Sequence, residues 1–160
     1  MKKIVLVLML VLALLMAGCA NEGKEANISD DSTAAVQNEA VDIKAVDEFL
    51  ASVKAQSDAI NTSFENDPLT QTELNMKAEE LSELWDGAMN YLLDELKNRL
   101  SEDEYSKLQN DQLTWIAERD KAIAEAGAEF EGGSFYSFIV GTESASLTEK
   151  RVSELYEMLK

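Results

Sequence analysis

Apolar positions through most of the chain return every three or four residues, and nowhere alternate for long with a period of two. Leu74, Ala78, Leu81, Trp85, Ala88, Leu92 and Leu96 form the longest series, a spacing that puts all of them on one face of a helix. An earlier series, Val46, Phe49, Leu50, Val53, Ile60 and Phe64, predicts a helix over roughly 41–64, with Ser57 standing where an apolar residue is expected. A third runs through Tyr105, Leu108, Leu113, Trp115, Ile116 and Ile123 to about Ala126. The last carries Phe135, Tyr136, Phe138, Ile139 and Val140, then Leu147, Val152, Leu155, Met158 and Leu159. Gly141 and the small residues 144–146 interrupt it, so one kinked helix or two shorter ones both fit, with Ser146 and Glu149 able to start the second. The expected fold is all-α: an antiparallel bundle of three long helices plus an N-terminal helix, without disulfides.

The boundaries of these helices are written in turn and capping residues. Pro68, the chain's one proline, breaks the pattern in "ENDPLT", since the residue before a proline is pushed away from helical geometry. Thr70 with Glu73 and Ser101 with Glu104 then fit the capping box, in which each side chain satisfies a free backbone N–H of the other residue. Glu102, Asp103 and Glu104 fall in the first turn after Ser101, where the helix dipole favours negative charge. Gly127 and "EGGS" at 131–134 end the third helix, and Ser134 is placed to cap the next.

The first forty residues follow another logic. Lys2 and Lys3 precede an unbroken apolar run from Ile4 to Met16, which as a helix rises only about 20 Å, too short for a hydrocarbon core of roughly 30 Å. A secretion signal is expected over residues 1–18. Its end, "LMAGC", resembles a bacterial lipobox, which implies cleavage before Cys19 and attachment of acyl chains there; an ordinary signal whose cut falls beside a cysteine is the alternative. Two or three acyl chains anchor durably where one does not. Residues 19–40 are small, polar and acidic and read as a flexible tether, followed by the N-terminal helical segment 41–67 and a helical domain 68–160.

Charge narrows the partners. Removing Lys2 and Lys3 leaves 12 basic against 31 acidic side chains, a net charge of −19. Such a chain will not bind nucleic acid through its phosphates, and anionic headgroups repel it. A cationic protein would be steered towards it, although acidity also serves simple solubility. With no histidine and a single cysteine, the common nucleophile and metal constellations are missing, so neither enzyme, metal nor cofactor is expected. Within "LTWIAERDK", Trp115 and Arg119 are four apart, so the guanidinium can lie over the indole. Asp120 then points about 100° around the helix and is free to pair across to another helix.

Four stretches carry a resemblance: "TQTELN" at 70–75, "QLTWIAERDK" at 112–121, "EGGS" at 131–134 and "LTEKRVSEL" at 147–155. In order and spacing they resemble the LprI-like lysozyme-inhibitor family of small exported helical proteins, over about residues 68–160. Trp115, Arg119, Asp120, Gly132, Gly133, Ser134, Leu147, Thr148, Arg151 and Leu155 fall on the family pattern. Many members have cysteines where this chain has Met76–Lys77, Ile123 and Glu143–Ala145. Apolar packing at sites such as Ile123 is expected to replace the bridges those cysteines form. The resemblance implies inhibition of a lysozyme or a related cationic cell-wall hydrolase, and lipid on Cys19 implies a place in the cell envelope, on the outer face of the cell membrane or at the outer membrane of a cell with two. Phe130, Phe135 and Tyr136, beside the glycine-rich bend, are the candidate binding surface, with packing at the bundle end as the competing role for the same rings. A non-enzymatic envelope module binding another exported protein or wall component is the alternative function; the oligomeric state is left open.

Overall fold

The computed structural model describes residues 43–160. The signal segment, Cys19 and the tether lie outside the described residues. Four helices account for nearly all of the rest: α1, Ile43–Asn66; α2, Gln71–Arg99; α3, Glu102–Gly127; and α4, Tyr136–Leu159. A short 3-10 turn, Ala128–Phe130, follows α3. The described residues contain no strand, and no helix among them is long and apolar enough to cross a membrane. The all-α expectation is borne out.

Both capping boxes form. The Thr70 backbone N–H and hydroxyl donate to Glu73 Oε2 at 2.7 and 2.6 Å, and Ser101 does the same to Glu104 at 3.0 and 2.6 Å. These hydrogen bonds, the side-chain one first, hold both carboxyls below the ordinary 4.5, because each stabilises the ionised form. α4 starts differently from expectation. Its N-cap is Phe135, which has no side-chain capping bond, and Ser134 instead gives its carbonyl to the Asn75 side chain at 3.0 Å. α4 is also one continuous helix through Gly141 and residues 144–146.

Successive helices run antiparallel, as the contacts at their two ends show. Asp47 and Phe64, near opposite ends of α1, meet Tyr156 and Phe138 at opposite ends of α4 in reverse order. Met89 and Asp86 of α2 meet Gln112 and Arg119 of α3 in the same reversed sense. α2 and α4 therefore run parallel, and Ser82 bonds Ser144 while Asp86 meets Thr148 further along. These two helices make the closest packing in the bundle. A Cβ on Gly141 would come within 3.0 Å of the Ala78 backbone, so glycine permits the approach.

The core is one cluster shared by the four helices. It joins Val46, Val53 and Ile60 of α1 to Leu81, Trp85, Leu92 and Leu96 of α2, Leu108 of α3, and Val152, Leu155 and Leu159 of α4. Ser57, the gap in the first apolar series, is buried within this packing and accepts the Trp85 indole N–H at 3.2 Å. A hydroxyl is needed at that position, because a buried indole N–H without an acceptor is costly.

Candidate functional site

Two sets of residues came out of the motifs, and the fold separates them. Trp115, Arg119, Asp120, Thr148 and Arg151 gather in the middle of the bundle, whereas Phe130, Gly132, Gly133, Ser134, Phe135 and Tyr136 form the bend between α3 and α4.

In the middle set, Trp115 is half-buried against the core with two guanidinium groups on its ring, Arg119 at 5.1 Å and Arg151 at 5.7 Å from the centroid. Arg119 Nη1 reaches Asp86 of α2 at 3.3 Å. The same Asp86 carboxylate oxygen lies 3.5 Å from the Thr148 hydroxyl of α4, so one acid touches three helices' worth of structure. Asp120 does not cross to another helix. With Arg119 turned over the indole, its Nε and Nη2 lie 3.1 and 3.0 Å from Asp120, and the two neighbours on α3 pair with each other. The cross-helix acid of Arg119 is Asp86, which the apolar pattern gave no reason to single out.

Arg151 is the more buried cation, with its side chain 8 % exposed. Its planar fork is filled at every nitrogen: Nε on Gln112 at 3.0 Å, Nη1 on Glu154 at 2.9 Å and Nη2 on Asp111 at 2.5 Å. Gln112, also buried, completes its own bonding on the Met89 sulfur at 3.2 Å. A guanidinium tolerates burial only when its donors are occupied in this way. These groups all have partners within the chain, and the arrangement fastens α2, α3 and α4 together. In this geometry Trp115 and Arg119 make contacts with other helices of the same chain.

At the bend the chain leaves the core. Gly132 has φ +76°, a conformation that disfavours side chains, and the Gly133 N–H closes the turn on the Phe130 carbonyl at 2.9 Å. Just before it, a Cβ on Gly127 would lie 2.7 Å from the Tyr136 ring and from Val140, so α3 ends pressed against the first turns of α4. The rings form a row that starts inside the bundle and runs outward: Phe64 on Phe138 at 5.2 Å, Phe138 on Phe135 at 4.9 Å, and Phe135 on Phe130 at 6.1 Å. Phe130, Phe135 and Tyr136 nonetheless keep 37, 36 and 37 % of their surface exposed. The bend thus packs the bundle end and shows aromatic surface to solvent at once. Ile123, expected to pack in place of a bridge, is only half-buried and borders an open groove. The Gly127 contact and the Asn75–Ser134 bond hold this end together instead. Among the described residues no three acidic side chains converge as a metal site would require.

The model of the family described as lysozyme inhibitor LprI matches residues 65–155. The chain belongs to that family. The match takes in α2, α3, the bend and most of α4, and it leaves α1 outside. No curated protein and no solved structure matches the chain. In this LprI-family chain motif residues of α3 and α4 link three helices, and the bend presents aromatic surface to solvent.

Proposed function

We propose that the protein is exported, held at a membrane by lipid on Cys19, and binds and inhibits lysozyme or a related cationic cell-wall hydrolase through its bend end. The observation that carries this reading is membership of an inhibitor family together with a row of half-exposed aromatic rings on a turn fastened at both sides. An inhibitor of this kind needs no reacting groups. It must place rigid surface over a cleft and keep it there, and rings already stacked in one arrangement lose little freedom on binding. The net charge, −17 for the whole chain and −19 once Lys2 and Lys3 are removed, favours a basic partner from a distance, while the aromatic surface supplies the short-range contact that charge alone does not.

Lysis of cell-wall substrate by a basic lysozyme provides the test, using the chain from Ala20 onward across a range of salt concentrations. Inhibition is expected at micromolar protein and persists at about 0.15 M salt, where surface charges are screened beyond roughly 8 Å. Phe135→Ala and Tyr136→Ala should each weaken it by about tenfold or more, the scale of a binding hot spot. Inhibition that disappears equally for every basic protein as salt rises would reduce the effect to bulk charge and reject the reading.

A further inference from the structure

Beside the bend lies an open groove of about 530 Å³. Met76, Glu79 and Glu83 of α2 form one wall, Val140 and Gly141 of α4 the floor, and Ile123 of α3 the far side. It exists because two close approaches are set apart from each other. α4 is drawn to α2 at Ala78–Gly141 and to α3 at Gly127, which leaves α2 and the last turns of α3 standing away from one another. The groove and the bend share one surface, since Val140 touches the Gly127 position and Asn75, in the groove wall, bonds Ser134.

The chemistry of the walls is specific. No lysine or arginine lines the groove, and among the described residues neither Glu79 nor Glu83 takes part in an ion pair. These two acids are four residues apart on an exposed helix face, so their carboxylates flank one position. The rest of the lining sets apolar Met76, Ile123 and Val140 among uncharged polar side chains such as Ser82 and Ser144, with Met76 63 % exposed.

We infer that this groove receives a lysine or arginine side chain from the basic partner, its alkyl stem against Met76, Ile123 and Val140 and its charge between Glu79 and Glu83. A long basic side chain has that division between apolar stem and charged head. A second copy of this chain is a poor occupant, because two bodies of net charge −17 repel each other. The inference rests on the inhibitor reading above and adds to it a second contact, next to the aromatic bend.

The test is titration of a basic lysozyme with the full-length chain held in detergent, at about 0.15 M salt. Three variants at exposed positions are compared with the unaltered chain: Glu79→Lys with Glu83→Lys, Asp94→Lys with Glu118→Lys as a remote pair of equal charge change, and Ser137→Trp, which fills the groove mouth without altering charge. The groove pair is expected to weaken binding at least tenfold more than the remote pair, and Ser137→Trp to weaken it at least severalfold. A groove pair no worse than the remote pair, or a Ser137→Trp chain that binds as well as the original, overturns the groove while the inhibitor reading stands. An unaltered chain that does not bind overturns both.

Discussion

Arg151 shows how a single side chain can carry a helix junction. Its three nitrogens serve Gln112, Asp111 and Glu154, and its face lies near Trp115. Arg151→Ala should therefore destabilise the fold by about 2–3 kcal/mol, through lost charged hydrogen bonds and lost packing of the stem. Arg151→Lys should recover less than half of that, since an ammonium cannot reproduce the planar fork. Urea unfolding of both variants checks this, and full recovery by lysine would refute it. Ser57 and Trp85 make a second case. Ser57→Ala strands the indole N–H and should cost about 1–3 kcal/mol, and combining it with Trp85→Phe should cost less than the two separately. The existence of Ser57 as a gap was visible in the apolar period, but not its use, because its partner lies on another helix 28 residues away. Asp86 escaped notice for the same reason: acids are common on helix faces, and only the tertiary position of Arg119 distinguishes this one.

Among the elements, helix starts were more legible than helix links. The two capping boxes depend on residues three apart in sequence, so the pattern alone contains the whole interaction, and both formed as read. The start of α4 depends on Gly132 taking φ +76° and on Asn75 from a distant helix, which no local rule contains. The capping carboxyls also imply a pH dependence. Both are held below 4.5 in the folded chain by their Thr70 and Ser101 partners. A carboxyl with a lowered folded pKa contributes stability that is fully present above its unfolded value and fades as pH falls through the folded one. The melting-temperature gap between the unaltered chain and a Glu73→Gln/Glu104→Gln variant should thus be complete at neutral pH and close as pH drops below 4.5. A gap that widens on acidification would contradict the assignment. Gly132→Ala belongs at this scale as well. It forces a side chain into positive φ, so a loss of about 1 kcal/mol is expected from thermal unfolding.

For the whole molecule, α1 marks where the family pattern and the folded unit part company. The family match begins at residue 65, yet Val46, Val53 and Ile60 of α1 are buried in the same cluster as Leu81 and Trp85. Fully burying an aliphatic side chain is worth about 1.5–3 kcal/mol, so three of them amount to much of a typical domain's 5–15 kcal/mol. A chain that begins at residue 68 should lose its cooperative thermal transition and expose apolar surface to a hydrophobic dye. A sharp, unshifted transition would show that α1 is an accessory. α1 is a member of the bundle, because its apolar face is occupied by the core.

The same separation of scaffold from free surface leads to the central claim, that the bend end of the bundle meets a basic lysozyme. Hydrogen exchange of the chain with and without saturating lysozyme tests it most directly. Protection is expected over the bend and the first turns of α4, residues 128–141, with the groove wall of α2 at 75–83 protected alongside, while the opposite end around Leu100 and Ser101 exchanges as before. Protection confined to that opposite end, or no change anywhere at saturating lysozyme, would contradict the account.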